Sequence, residues 1–338
     1  MKALVTGATG FVGSHLVERL LGAGMEVACL MRPTSPPRRR SAVAGRTALD
    51  GLDVERRVAA LDDPDALRLA VRGVDYVFHA AGLTRTRTLA EYQAVNADGT
   101  GRLLEALLAE GANLRRFVYV SSLAAAGPAT SAEPPDESAE PHPADDYGAS
   151  KLAGERVVLE HAGRLPATIV RPPAVYGPRD ANFLPLFRLA VRLGRVPVIG
   201  KPSKQAAFVY AGDLAEGLRL AALSPQAVGR TYYIASGIHT MSEVAEAVCL
   251  ALNMPPRLLR VPALLARLAG EIGQIAWAVT GRPQIVSRGK IRGLLHPWWT
   301  CSWARARQEL GYRQAVSLQE GMRLTVQWYV EHGWIKGR

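Results

Sequence analysis

At 338 residues, 48% of them hydrophobic, the chain can bury a large core and is not a small domain held together by staples. Three cysteines, Cys29, Cys249 and Cys301, are an odd number without CxxC spacing, so neither a disulfide framework nor a metal site is expected, and a reducing cytoplasm is the default compartment. The net charge of +11 admits nucleic acid, anionic membrane or phosphorylated small molecules, but its arginines crowd positions 32 to 57 and no basic helix carries interleaved aromatics, so no nucleic-acid partner is expected.

Met1-Lys2 leads straight into an apolar stretch interrupted by Thr6, Gly7 and Thr9, which is not the pattern of a signal peptide. No uncharged apolar run reaches the ~18 residues of a spanning helix. Ala3 to Val5 reads as a buried strand, Gly7, Gly10 and Gly13 as a tight turn, and Leu16, Val17, Leu20 and Leu21 as a helical stripe. That combination is a phosphate cradle. Gly7 permits the turn, Gly10 lets backbone N–H groups approach a pyrophosphate, and Gly13 lets the helix pack close to the sheet with its positive end facing the anion. Glu26 to Met31 is a second strand ending at Arg32, with no carboxylate before Asp50. An arginine there favours a 2′-phosphate, hence NADP, with NAD as the alternative and a solvated loop arginine as the plain reading.

Residues 33 to 57 read as a Pro/Arg/Ser-rich connection. Asp62-Asp63-Pro64 opens a helix through Leu67, Leu69, Ala70 and Val71, and Val74 to His79 is a strand. It runs into Ala80-Ala81-Gly82, small enough for backbone to lie against a cofactor, with His79 read as a satisfied sheet-end histidine. Tyr92 to Leu108 reads as one helix carrying Asn96, Gly99 and Thr100, and Arg116 to Ser121 as the next strand.

Ser121-Ser122 closes that strand, a proline-rich loop follows, and Asp145-Asp146-Tyr147 opens a helix on which Tyr147 and Lys151 stand one turn apart. Bringing a tyrosine from its ordinary pKa near 10 to neutrality takes roughly 4 kcal/mol. An ammonium about 4 Å away supplies about that much at an effective dielectric near 20. On this arithmetic Tyr147 exchanges a proton with a substrate oxygen, Ser122 orients the same oxygen, and Lys151 also holds a ribose.

Further on, Asn182 to Leu193 is a helix, Arg195 to Gly200 a strand and turn, and Gln205 to Tyr210 a strand, with Asp213 as N-cap of a helix over Leu214 to Leu223. Thr231 to Ala235 and Arg257 to Val261 are strands on either side of a helix from Met241 to Leu252. Leu264, Leu265, Leu268, Ile272 and Ile275 line one side of a helix, with Arg267, Glu271 and Gln274 on the other. Three destinations are open to that stripe: the core, an apolar pocket under a lid, or a membrane surface contacted peripherally.

The glycine turn, Asp75 with His79-Ala80-Ala81, Asn96-x-x-Gly99-Thr100, Ser121-Ser122, Tyr147-x-x-x-Lys151 and Arg171 to Pro178 together resemble the extended short-chain dehydrogenase/reductases, the NAD-dependent epimerase/dehydratase group, over essentially the whole chain. The 3β-hydroxysteroid dehydrogenase and dihydroflavonol reductase branch is the most similar in pattern. The resemblance implies an α/β doubly wound parallel sheet, with a Rossmann domain over 1–175 to which 205–235 return. A smaller substrate-capping domain would comprise 176–204 and 236–338. It implies Ser122, Tyr147 and Lys151 as catalytic residues supported by Asn96. The implied cofactor contacts are Gly7, Thr9, Gly10, Phe11, Val12, Gly13, Arg32, Leu61 by its backbone, Ala80, Ala81, Gly82, Ser121, Tyr147, Lys151, Pro172, Ala174 and Val175. A homodimer is the implied assembly.

Two departures bear on this. Ala59-Ala60-Leu61 lacks the aspartate that commonly contacts adenine, and Leu123 to Gly127 lacks the acidic pair of the dehydratases, which argues against dehydration. The expected activity is NAD(P)-dependent interconversion of a secondary alcohol and a ketone on a largely apolar small molecule. Lys204 to Tyr210 lacks the Arg-Asp that meets a sugar nucleotide's diphosphate, and Leu264 to Ile275, Trp277, Trp298 and Trp299 offer apolar lining if turned inward. The alternatives are a sugar-nucleotide epimerase, for which Arg179, Lys201 and Lys204 are candidate phosphate ligands, and a dinucleotide sensor without turnover.

Overall fold

Four consecutive buried residues of β1 (Lys2–Thr6) set the pattern, because a strand covered by helices on both faces is apolar throughout and does not alternate. The computed structural model describes residues 1–33, 48–86, 88–111, 113–280 and 288–336. From β1 the chain passes through the glycine turn into α1 (Phe11–Gly22) and then β2 (Glu26–Met31). Next come β3 (Glu55–Val58), α2 (Pro64–Ala70), whose N-cap Asp63 accepts from the Ala66 amide at 3.0 Å, and β4 (Tyr76–His79). The helix read as beginning at Tyr92 starts earlier and is interrupted. It runs as α3 (Leu89–Gln93), one π turn (Ala94–Asp98) and α4 (Gly99–Ala109). After β5 (Arg116–Val120) come the short α5 (Leu123–Ala126), α6 (Asp146–Glu160) and β6 (Ala167–Arg171).

Beyond β6 lie β7 (Ala174–Tyr176), α7 (Leu184–Leu193), β8 (Val196–Ile199), β9 (Gln205–Tyr210), α8 (Ala211–Leu223) and β10 (Thr231–Tyr233). β11 (Gly237–Thr240), α9 (Met241–Ala251), β12 (Leu258–Val261), α10 (Ala263–Thr280), α11 (Arg288–Leu295), β13 (Trp298–Trp299), α12 (Ala304–Glu309) and α13 (Leu318–Glu331) complete the order.

Seven parallel strands form the main sheet in the order β10-β6-β5-β4-β1-β2-β3. The winding reverses between β1 and β4, which opens a crevice at the carboxyl ends of those strands, where ligands of doubly wound sheets bind. β9 pairs with β7, β11 and β13 in a second sheet, and β8 pairs with β12. Of the stretch 205–235, then, α8 packs on the main sheet and β10 joins it, whereas β9 belongs to the second sheet. A second core around Tyr176, Phe187, Phe208, Val248 and Tyr329 holds that region.

Two other expectations are corrected. Positions 55–57, read as the end of the connection, form with Val58 the edge strand β3, whose Glu-Arg-Arg-Val sequence hides it because an edge strand is solvated and needs no apolar run. Asp213 does not cap α8, whose N-cap position is Tyr210 and has no side-chain capping bond. Its carboxylate lies inside the first turn and accepts from the amides of Ala315 (3.1 Å) and Val316 (3.3 Å), tying the C-terminal segment to the helix.

Candidate active site

The glycine turn closes against the end of β4. Gly7 has φ of +69°, and a Cβ there would stand 2.7 Å from the Ala81 nitrogen, while a Cβ on Gly13 would stand 2.2 Å from the Gly7 carbonyl oxygen. Any larger residue forces backbone apart at both positions. Gly10 is different, being exposed at the head of α1, where no side chain caps the helix. The amides of Phe11, Val12 and Gly13 thus carry the helix's partial positive charge without a side-chain cap, the donor set that suits a diphosphate. Thr9, Ala80 and Ala81 are half-buried around it, Gly82 is exposed, and Arg32 lies exposed just past β2. Leu61 is half-buried beside Gly99, whose added Cβ would meet it at 3.2 Å. These residues fit a dinucleotide, whose nicotinamide supplies or accepts a hydride when bound. Pro172 is buried and accepts from the Leu123 amide through its carbonyl at 2.8 Å; Ala174 and Val175 are half-buried on β7.

Tyr147 stands in the first turn of α6, which Asp145 caps by accepting from the Gly148 amide at 2.8 Å. Its hydroxyl lies near enough to Ser122 for that side chain to pull its pKa down, and Ser122 itself caps α5 by accepting from the Ala124 amide at 3.1 Å. Lys151 is 3% exposed, with its Nζ 4.2 Å from the centre of the Tyr119 ring. Burial brings its pKa down to about 7, against an opposing pull from Glu155. The charge arithmetic for Tyr147 is overturned: burial pushes its hydroxyl up to about 12, with Ser122 pulling the other way, so the free protein holds it as a phenol. Burial is the largest influence on both groups, and a lysine near neutrality lends less than a full charge.

Asn96 sits in the π turn, 1% exposed. Its Nδ2 donates to the Leu83 carbonyl (3.0 Å) and Ser150 Oγ (2.9 Å), and its Oδ1 accepts from the Leu83 amide (2.8 Å). It joins the loop after β4 to α6, positioning both. The π turn also aims the Asn96 carbonyl to accept from Thr100 Oγ1 (2.9 Å) and the Tyr119 hydroxyl (3.1 Å). Since Thr100 donates to that carbonyl, it accepts from His79 Nε2 at 3.0 Å, and His79 Nδ1 accepts from Thr6 Oγ1 at 2.7 Å. His79 is a fully satisfied neutral histidine.

That neutrality has a pH signature. Burial first, and then the Lys151 charge, hold His79 at about 3, below its ordinary 6.5. The unfolded chain therefore takes up the proton first, and stability falls as pH drops from about 6.5 toward 3. Urea unfolding of the wild type between pH 6 and 4 should show a steeper loss than His79→Gln, by up to about 1.4 kcal/mol per pH unit. Equal slopes would contradict the neutral assignment.

Ser121, read as a cofactor contact, is buried and donates to Glu155 Oε1 at 2.5 Å. Glu155, 2% exposed, also receives Arg171 through Nε (2.8 Å) and Nη2 (2.6 Å), and Arg171 lies over the Tyr233 ring. Neither Glu155 nor this pairing was anticipated, although positions 147, 151 and 155 follow one another at helical spacing.

On the substrate side, Arg179 is committed to α1, donating to Glu18 at 2.5 and 2.7 Å and to His15 Nδ1 at 2.9 Å. Lys204 donates to the Leu294 carbonyl, and Lys201 is exposed. Trp298 and Trp299 are half-buried on β13, Trp299 donating to the Gly293 carbonyl at 2.7 Å. The apolar stripe of α10 does not line an interior pocket: Leu264, Leu265, Leu268 and Ile272 are exposed, because the small Ala266 and Gly270 form the inward face. The Ile275 and Trp277 side chains lie outside the described residues. Among the described residues, no group of three or more His, Cys, Asp or Glu is placed to hold a metal.

A doubly wound sheet with an uncapped glycine turn at its switch point and a Ser/Tyr/Lys cluster beside it defines an oxidoreductase of the dinucleotide-binding, short-chain dehydrogenase/reductase class. The chain belongs to the NAD dependent epimerase/dehydratase family, whose model matches residues 3–235. It is 34% identical over 334 residues to a ceramide reductase of Caulobacter vibrioides, covering 98% of this chain and 95% of that one. It is 30% identical over 348 residues to a 2-alkyl-3-oxoalkanoate reductase of Stenotrophomonas maltophilia, covering 96% and 98%. Among solved structures, a UDP-glucose 4-epimerase of Thermus thermophilus in complex with NAD superposes with a TM-score of 0.74 at 26% identity, covering 97% and 99%.

Proposed function

We propose that this chain is an NADP-dependent ketoreductase that converts a ketone on a long, largely apolar molecule to a secondary alcohol. Tyr147, held as a phenol, donates its proton to the carbonyl oxygen as hydride reaches the carbonyl carbon, so ketone, hydride and proton together give the alcohol. Ser122 hydrogen-bonds the same oxygen and fixes its direction. Lys151 anchors a ribose hydroxyl and, titrating near neutrality, passes a proton back toward the tyrosine. Asn96 holds the loop and helix that carry these groups.

The observation that carries the substrate class is the commitment of cations. A nucleotide sugar brings a diphosphate that needs placed positive charge, whereas Arg179 is spent on Glu18 and His15 and Lys204 on a carbonyl, which leaves the exposed Lys201 alone of the three candidate phosphate ligands. Kinship with reductases named for a ceramide and a 2-alkyl-3-oxoalkanoate supports the same reading. Following NADPH oxidation with 3-keto forms of ceramide, 2-alkyl-3-oxoalkanoates and ketosteroids, beside UDP-glucose and UDP-galactose, tests it. Turnover of an apolar ketone is expected; micromolar UDP binding with no response to any apolar ketone would overturn it.

NADP preference rests on Arg32 and on the absence of a carboxylate at Met31-Arg32-Pro33. Arg32→Asp replaces a charge-assisted bond with repulsion, so calorimetry should show NADP affinity falling at least about tenfold more than NAD affinity. Tighter NAD than NADP binding by the wild type would reject the preference.

A further inference from the structure

α10 turns its large side chains to solvent. Leu264, Leu265, Leu268 and Ile272 are 67%, 57%, 52% and 68% exposed and fall within an arc of ~100° on the helix. The opposite side, with Ala266 and Gly270 buried, packs toward α11 and its buried Ile291. Leu258 on β12 and Leu294 on α11 extend the exposed apolar surface. A monomeric surface rarely gathers so much apolar area without a partner to cover it.

The charge around the stripe identifies the partner. Among the residues whose side chains are described, β12 and α10 present the exposed Arg260 and Arg267 against one acid, Glu271, with the exposed Arg257 immediately before β12. An exposed apolar arc with more cations than acids around it suits the interface of an anionic bilayer, its leucines among the acyl chains and its arginines among the phosphates. Among the described residues no helix is long and apolar enough to cross a membrane, consistent with a helix lying along one. We infer that the α10 face is a membrane-docking surface that seats the protein on an anionic lipid bilayer.

Cosedimentation of the whole protein with vesicles of phosphatidylglycerol and phosphatidylcholine tests this, with pure phosphatidylcholine vesicles as the control. The wild type should sediment with the anionic vesicles, less so as salt is raised, and little with the zwitterionic ones. Replacing Leu264, Leu265, Leu268 and Ile272 together by Gln should reduce the bound fraction at least about tenfold. The melting temperature should not fall, since these side chains have few contacts to lose. As a second readout, Ile272→Cys carries the only exposed thiol among the described residues, because Cys29, Cys249 and Cys301 are buried. A polarity-sensitive fluorophore on it should shift to the blue with anionic vesicles.

Vesicle binding needs neither cofactor nor turnover, so it is read independently of the ketoreductase assignment. The inference is overturned if the wild type fails to bind, or if the fourfold variant binds as well as the wild type. It is also overturned if the variant merely splits a dimer that shows no vesicle binding, which would assign the face to a second copy.

Discussion

Tyr147→Phe should lower turnover at least about a hundredfold, roughly 2.7 kcal/mol of barrier, while dinucleotide affinity stays within a few-fold. The substitution removes one hydroxyl on the Ser122 side of the ring and leaves the ring beside Tyr92, 6.0 Å between centroids, and the glycine turn untouched. KM should move little, because the hydroxyl contributes mainly in the transition state. Steady-state rates with NADPH, beside cofactor titration by fluorescence, check both halves. Retained turnover would assign the proton to another group. The phenol's pKa of about 12 also orders the two directions of the reaction. Ketone reduction needs the protonated phenol, which persists through neutral pH, so a fall in rate there belongs to Lys151, whereas alcohol oxidation needs the phenolate and should rise with pH across the alkaline range.

Glu155→Gln should cost about 3–5 kcal/mol of stability, among the largest single-site losses in the molecule. It leaves the Arg171 guanidinium buried with its two bonds to a carboxylate gone, and deprives Ser121 of its acceptor's charge. The cost is that of an uncompensated buried charge, so exchanging both partners for methionine should recover most of it. Urea midpoints of the single and double variants decide between this account and a simple sum of two losses. A second readout separates positioning from folding: Glu155 opposes the burial that lowers Lys151, so in the single variant Lys151 should titrate below its present value of about 7. The alkaline limb of the pH–rate profile for reduction, where Lys151 loses its proton, would then move toward lower pH.

The parts of the site made of short-range chemistry were legible in the sequence. Three glycines between a buried strand and a helical stripe specify a phosphate turn because backbone approach and positive φ exclude other residues. Tyr147 and Lys151 share a face because a helix repeats every 3.6 residues. Strand ends at Met31 and Tyr210 follow from where apolar runs stop. Quantities that depend on what lies opposite were not legible. Helical spacing shows that α10 has an apolar stripe, but which side meets protein is decided by Ala266 and Gly270 packing toward α11, since small residues allow close approach and large ones then face out. The Tyr147–Lys151 arithmetic took the lysine as a full charge near the surface, and only the tertiary structure reveals the burial that raises one group and lowers the other. Likewise Glu155 sits in register with Lys151 on α6, but its partner Arg171 stands on β6, and their meeting depends on a helix crossing a sheet, which local periodicity does not encode.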